Sequence, residues 1–174
     1  MKITVSANLS ARNLIDPTLP ATVLEMLRIS DVIADRIQFE ITESAIMADP
    51  VRAQETLRKL HEIGIRFSID DFGIGYSSLS YLQKLPVSQI KVDKSFVIHM
   101  TQKKGDAKIV RSTIDLAHNL GLEVVAEGVE TIEILDRLEE MNCDAAQGYY
   151  FSKPLPAEEL TQWLMDSPWG LKKR

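Results

Sequence analysis

The sequence predicts an α/β fold in which helices surround a curved, parallel β-sheet. Segments with strand character alternate with segments of helical character, and this pattern occurs six times along the 174 residues. Strands that alternate with helices of about 10–15 residues form βαβ units and pair in parallel. Each strand segment also carries a polar side chain near its C-terminal end, a distribution that favours a barrel-like sheet.

The composition indicates one ordinary domain without nucleic-acid character. Hydrophobic residues make up 45% of the 174 residues, which is enough for a substantial core. The net charge is −5 and no long basic run occurs, so no DNA or RNA polymer is expected as a partner. Cys143 is the single cysteine, which excludes an internal disulfide and fits a reducing compartment. No apolar run approaches the ~20 residues of a membrane span, so we expect a cytoplasmic chain.

Helix-boundary residues mark the second of the first two strand–helix units. Asp49 precedes Pro50, a pair typical of an N-cap followed by the first helical turn. Gly64 lies where the same helix is expected to end. The predicted elements are a strand over 2–8, a loop over 13–18, a helix over 20–33, a strand over 36–41 and a helix over 50–63.

The third unit contains two adjacent carboxylates at the end of an apolar strand. Apolar and polar residues alternate over 65–69, and Asp70 and Asp71 follow directly. A glycine-containing loop over 72–75 leads to a helix predicted from 76 to just before Pro86. Two adjacent like charges are costly unless a positive group compensates them. A divalent cation is one such group, and a helix cap across a solvated turn is the alternative.

The remaining units continue the same alternation. Thr131 is an N-cap candidate for the fifth long helix, and Gly121 closes the helix before it. The predicted elements are a strand over 88–92, a helical turn over 94–100, a helix over 106–120, a strand over 122–126, a helix over 131–141, a strand over 145–151 and a helix over 156–165.

Two architectures compete for this pattern. Six units suffice for an open doubly wound sheet but are two short of a (βα)8 barrel, which usually needs ~250 residues. The polar strand ends favour the barrel, because the outer strands of an open sheet would hold their side chains too far apart to meet. The residues concerned are Asn8, Glu40, Asp70, Asp71, Lys91, Glu127 and Gln147.

Oxygen ligands of this kind predict a site for Mg²⁺ or Mn²⁺. Asp70 and Asp71 suit two ions ~3.5–4 Å apart, an arrangement that serves phosphodiester cleavage. Lys91 then suits the attacking water or the developing phosphate charge. Two alternatives remain open: Asn8 and Gln147 as hydrogen-bonded core amides, and Lys91 with Glu127 as an ordinary ion pair. The three histidines show no ligand spacing, and no histidine pairs with Ser77 or Ser78 as a serine nucleophile would need.

Several sequence blocks resemble those of the EAL-domain cyclic di-GMP phosphodiesterases. They occur in the family's order and span nearly the whole chain. The blocks are SANLS (6–10), FEITES (39–44), SIDDFGIGYSSLSYL (68–82), IKVDKSFV (90–97), VVAEGVET (124–131) and QGYYFSKPLP (147–156).

The resemblance implies a modified TIM barrel that hydrolyses cyclic di-GMP to linear pGpG with Mg²⁺ or Mn²⁺. It implies metal ligands, catalytic or pocket residues, and one residue that anchors the glycine loop over 72–75. In that order these are Asn8, Glu40, Asp70 and Asp71; Lys91, Glu127 and Gln147; and Glu43.

One departure from the family lies at the front of the chain. No Glu-Ala-Leu motif is present, although that glutamate is a metal ligand in the family. We therefore expect residues 1–174 to form an N-terminally truncated EAL-type domain with about six of eight βα units. Open sheet edges then predict self-association or cover by an upstream regulatory domain. Hydrolysis is expected to be impaired, and an inactive module that binds cyclic di-GMP or a protein is the alternative.

Overall fold

A computed structural model describes residues 3–73 and 79–170 of the chain. Its sheet contains six strands, all parallel, in the order in which they occur along the chain. A doubly wound sheet reverses its strand order at a switch point, whereas barrel strands follow the chain. The incomplete barrel is therefore confirmed and the doubly wound alternative is wrong. The strands are β1 (Val5–Asn8), β2 (Ile37–Thr42), β3 (Arg66–Phe72), β4 (Gln89–Val92), β5 (Glu123–Glu127) and β6 (Ala145–Gln147).

Helices connect the strands, and the predicted caps of two of them are confirmed. Asp49 accepts a hydrogen bond from the backbone N–H of Arg52 at 3.2 Å. Thr131 accepts one from Ile134 at 3.4 Å. The helices are α1 (Ala11–Leu14), α2 (Leu19–Ser30), α3 (Glu43–Met47), α4 (Pro50–Ile63), α5 (Leu79–Leu82), α6 (Lys94–Val97), α7 (Lys104–Asn119), α8 (Ile132–Glu140) and α9 (Ala157–Asp166), with a 3₁₀ turn at Ala34–Arg36.

The hydrophobic core lies between the outer face of the sheet and the helices. Phe67 and Ile69 of β3 are fully buried in one cluster with Leu57 and Leu60 of α4. Burying each such side chain stabilises the fold by ~1.5–3 kcal/mol. Side chains alternate between the two faces of a strand, so the same strand directs Asp70 to the inner face. The core therefore fixes the strands whose polar ends form the site.

The described part of the sheet has two unpaired edges. Within residues 3–73 and 79–170, β1 pairs with β2 alone and β6 with β5 alone. All four residues of β1 are exposed, and Val5 is 58% accessible to solvent. Exposed edge strands can pair with another chain, so the open edges expected for a partial barrel are present.

Two short helices differ from the sequence prediction. Residues 13–18 are predicted as a loop, but the chain there begins in α1, whose N-cap is Ser10. The other short helix, α3, has no counterpart among the predicted elements, and its N-cap is Thr42. Helices of four or five residues are too short to show an apolar period, which is why the pattern misses them.

The last strand is shorter than the predicted range 145–151. β6 ends at Gln147 because the chain then turns back on itself, and Tyr150 N–H donates to Val129 O at 3.0 Å. A Cβ on Gly148 would lie 2.0 Å from that same carbonyl oxygen. The turn therefore needs glycine at this position, and the apolar residues beyond it are not strand residues.

The helix predicted from residue 76 is described only from Leu79. Residues 74–78, which include the second half of the glycine loop, lie outside the described ranges. The described helix, α5, ends at Leu82, before Pro86. Most other element boundaries differ from the predicted ones by a few residues.

Candidate metal centre and active site

Charged side chains from four neighbouring strands converge on the inner face of the sheet. The Nζ atom of Lys91 lies 2.5 Å from Glu40 Oε2, 2.6 Å from Glu127 Oε1 and 3.2 Å from Asp70 Oδ1. Because the strands are parallel and in chain order, their C-terminal ends meet at one rim. We call Glu40, Asp70 and Glu127 the carboxylate ring, with Lys91 at its centre.

Burial makes these charges interact strongly. The side chain of Lys91 is 5% exposed, and the three carboxylates are at most 18% exposed. Burial by itself lowers the pKa of Lys91, but hydrogen bonds to Glu127 and Glu40 outweigh it and raise the pKa above its usual value. The lysine is therefore a cation at any physiological pH.

Burial has the opposite effect on the pKa of Glu127. Burial raises its pKa, the negative charges of Asp70 and Glu40 raise it further, and Lys91 offsets part of this increase. Three carboxylates thus share one ammonium, and negative charge remains in the ring. Such a cluster attracts a second positive group.

A β-bulge brings Asp70 and Asp71 to the same rim. The pairing of β3 with β4 shifts between Ile69 and Phe72, so two residues of β3 lie opposite Lys91 alone. Asp71 has a φ of 54°, the left-handed region that aspartate adopts more readily than most residues. Without the bulge, adjacent side chains would point to opposite faces of the sheet.

Asp93 is a carboxylate near the site that sequence reasoning missed. It is 7% exposed, and it accepts a hydrogen bond from Ser95 N–H at 2.8 Å as the N-cap of α6. Burial raises the pKa of Asp71, and the charges of Asp70 and Asp93 raise it further. The signal available in the sequence was its position two residues after Lys91, at the end of the same strand.

The two predicted amide residues line cavities on opposite sides of the ring. Asn8 and Glu40 share a cavity of about 460 Å³ beside β1 and α1. Gln147 and Glu127 share one of about 300 Å³ at the ends of β5 and β6. Neither amide is a buried core residue, because both are exposed. The core-amide interpretation of Asn8 and Gln147 is therefore wrong, and both residues remain available to a ligand.

Glu43 is the first residue of α3, partly buried and just beyond the end of β2. The glycine loop it is predicted to anchor extends over 72–75. Residues 74 and 75 of that loop lie outside the described ranges, so the anchoring contact stays a prediction.

The donor chemistry of the rim fits a hard divalent cation, because carboxylate and amide oxygens are the ligands Mg²⁺ and Mn²⁺ prefer. Glu40, Asp70 and Glu127 already approach one point, the lysine nitrogen. Among the described residues, no three or more His, Cys, Asp or Glu side chains stand as a ready-made metal site. The carboxylates instead surround the ammonium of Lys91. Oxygen ligands suited to a metal are therefore present, and the lysine cation lies between them.

A comparison with family models assigns the chain. The EAL domain model matches residues 1–154. The chain belongs to the EAL domain family. The match covers every strand and the whole rim, so the resemblance of the sequence blocks is confirmed.

Relatives of known identity agree with this assignment. The cyclic di-GMP phosphodiesterase NbdA of Pseudomonas aeruginosa is 40% identical over 163 residues, which cover 94% of this chain and 21% of NbdA. The crystal structure of the EAL domain of Mycobacterium smegmatis DcpA matches with a TM-score of 0.88 and 38% identity, over 95% of this chain and 74% of that one. Klebsiella pneumoniae BlrP1 in a manganese and cyclic di-GMP complex matches with a TM-score of 0.81 and 32% identity, over 88% of this chain and 39% of the BlrP1 chain.

The matched relatives are longer than this EAL-family chain, which spans about a fifth of the length of the curated ones. The solved structures confirm the TIM-like barrel architecture, of which this chain provides six consecutive strands. In the described ranges, no helix has the length and apolar character needed to cross a bilayer.

Proposed function

We propose that this chain carries a metal-dependent site that hydrolyses one phosphodiester bond of cyclic di-GMP and releases linear pGpG. The observation that carries the proposal is the convergence of Glu40, Asp70 and Glu127 on one point of the rim, with Asp71 brought beside them by the bulge. Family membership supports the same conclusion, because relatives include a cyclic di-GMP phosphodiesterase.

Four residues are proposed to hold Mg²⁺ or Mn²⁺: Asn8, Glu40, Asp70 and Asp71. A bound divalent cation supplies Lewis-acid polarisation of a phosphoryl oxygen and activates water. The manganese complex of BlrP1 supports a divalent cation in this family. The exposed amide of Asn8 and the carboxylate of Glu40 line one cavity, so both are accessible to an entering ion.

The other proposed roles belong to side chains of the chain itself. Lys91 donates hydrogen bonds that stabilise negative charge developing on the phosphate. Glu127 accepts a hydrogen bond from the attacking water and orients it, while Gln147 contacts the nucleotide from the adjoining cavity. Glu43 is proposed to support the glycine loop from the start of α3.

The proposed setting is the cytoplasm, where the single free Cys143 is stable as a thiol. We further propose that the open edges β1 and β6 are covered by a second copy of the chain or by an upstream regulatory domain. A DNA or RNA polymer is not proposed as a partner, because the chain has a net charge of −5.

One observation favours a second candidate function, an inactive module that binds cyclic di-GMP or a protein. Lys91 already compensates part of the negative charge of the ring. A site whose carboxylates stay bonded to Lys91 would retain nucleotide contacts and lose turnover. This candidate predicts binding without formation of pGpG.

The test combines binding and turnover on the same preparation. Calorimetry with cyclic di-GMP, with and without Mn²⁺, measures binding, and chromatographic detection of pGpG measures hydrolysis. We expect slow, Mn²⁺-dependent pGpG formation that disappears in Asp70→Asn and persists in Asp115→Asn, which changes an exposed aspartate of α7. Binding without any pGpG supports the inactive module. The absence of both binding and turnover contradicts both candidate functions.

A further inference from the structure

Lys91 is bonded to two of the carboxylates that are proposed to hold the ion, Glu40 and Asp70. We propose that its ammonium group is a built-in competitor for the divalent cation, which binds only when Lys91 gives up at least its bond to Glu40. This inference rests on the proposed metal site and does not depend on hydrolysis of any nucleotide.

The carboxylate oxygens that contact Lys91 cannot serve both cations from their present positions. Three carboxylate oxygens lie 2.5, 2.6 and 3.2 Å from the lysine nitrogen, on three different strands. A Mg²⁺ ion needs its oxygen ligands at ~2.0–2.1 Å, so those oxygens must turn from the ammonium towards the ion. Two positive centres at contact distance also repel each other strongly in a mostly buried site.

Glu40 is the contested carboxylate. It bonds to Lys91 on one side and lines the cavity shared with Asn8 on the other. Glu127 faces a different cavity, at the ends of β5 and β6. An ion that enters beside Asn8 therefore reaches Glu40 first, while Lys91 can keep its 2.6 Å contact with Glu127.

Asp70 is the least firmly held of the three carboxylates. Its contact with Lys91 is the longest, at 3.2 Å, and its Oδ1 also accepts the backbone N–H of Asp71 at 3.1 Å. Asp70 can therefore exchange Lys91 for an ion with a small loss of interaction energy. The ring is built so that two carboxylates leave the ammonium while the third retains it.

Replacing the lysine with a neutral side chain of similar length tests the competition. Lys91→Met removes the internal cation and leaves three carboxylates without a counter-charge. We expect calorimetric titration of the metal-stripped chain to show that Lys91→Met binds Mn²⁺ about tenfold more tightly than the parent chain, because a competing like charge has gone. Lys108→Met is the matched control, since Lys108 is an exposed lysine of α7, and its affinity should equal that of the parent.

The outcomes separate this inference from the proposed metal site. Equal or weaker Mn²⁺ binding by a folded Lys91→Met, with binding by the parent, overturns the competition alone. No Mn²⁺ binding by either chain overturns the competition together with the metal site. Circular dichroism of both variants establishes that they are folded.

A second measurement on the unmodified chain covers the case in which Lys91→Met does not fold. We expect the protons of the buried, hydrogen-bonded Lys91 ammonium to exchange slowly with water, so that its side-chain ¹H–¹⁵N NMR signal is visible in the metal-free chain. We expect saturating Mg²⁺ to shift or remove that signal. A signal that stays unchanged at saturating Mg²⁺ contradicts the displacement of Lys91.

Discussion

The Nζ atom of Lys91 lies 2.6 Å from Oε1 of Glu127, and both side chains are mostly buried. The pair joins β4 to β5 at the rim where Asp70 and Glu40 also end. An isolated ion pair of this kind would be structural. Here the ammonium is shared among three carboxylates, so the rim keeps excess negative charge. Burial, and then the charges of Asp70 and Glu40, raise the pKa of Glu127.

Glu127→Gln tests the role of this carboxylate. The amide keeps the shape of the side chain, but it loses the charge that orients water and partners Lys91. We expect pGpG formation to fall by about 100-fold or more. Glu139→Gln changes an exposed glutamate of α8 and serves as the control. Unchanged turnover in Glu127→Gln would remove this residue from the mechanism.

Gly128, the residue after Glu127, allows a test of close packing at the end of β5. Gly128 and Gly121 both have φ near +75°, at 75° and 73°. A Cβ on Gly128 would lie 2.6 Å from Lys94 Cβ, whereas a Cβ on Gly121 has no neighbour within 4 Å. Urea unfolding should therefore show that Gly128→Ala costs about 1–3 kcal/mol more than Gly121→Ala. Equal losses would mean that the backbone conformation alone requires glycine at both positions.

Asp144 should make stability depend on pH. Burial on its own raises the pKa of Asp144, but hydrogen bonds from His118 and from the backbone N–H of Val124 outweigh it and hold the pKa below its usual value. A lowered folded-state pKa stabilises the fold above the unfolded-state pKa of about 3.9. That stabilisation is lost as the pH falls through the lower, folded-state pKa.

Asp144→Asn is the corresponding variant. We expect it to lower the free energy of unfolding at pH 7 by less than about 1 kcal/mol, because the side chain is 41% exposed and solvent screens the pair, with the difference from the parent shrinking below about pH 4. Urea titrations between pH 7 and pH 2.5 measure both quantities, and Asp136→Asn on the exposed side of α8 is the control. A difference that stays constant over this range would show that the charge of Asp144 does not stabilise the fold.

The open edge of β1 predicts self-association. Val5 is 58% exposed in β1, and a strand with one unpaired edge can pair with a second chain. We expect multi-angle light scattering to show dimers or larger species whose fraction falls in Val5→Lys. Val51→Lys, at a 77% exposed valine of α4, should leave association unchanged. A clean monomer with cooperative thermal unfolding contradicts the prediction.

Much of the fold follows from local patterns in the sequence. The alternation around Ile69 predicts a strand, and the Asp49–Pro50 pair predicts the start of α4, which the structure confirms. The barrel follows from the polar ends of successive strands, because only a curved sheet brings them together. The length of 174 residues alone favours the open doubly wound sheet, which the strand order excludes.

Other features depend on contacts between distant residues and leave no local signal. The bulge opposite Lys91 and the left-handed conformation of Asp71 are consequences of strand pairing. Asp93 is buried at the N-terminus of α6, a helix that packs against α7 and β5. The sequence predicted an ion pair between Lys91 and Glu127 as an alternative to a catalytic role, and the structure shows that contact within a larger ring.

The most direct test of the metal centre is a crystal of this chain grown in Mn²⁺ and measured at the manganese absorption edge. We expect an anomalous peak about 2.0–2.2 Å from carboxylate oxygens of Glu40 and Asp70, with the Lys91 ammonium displaced from Glu40. Manganese peaks confined to the protein surface, with Lys91 still bonded to all three carboxylates, would contradict it.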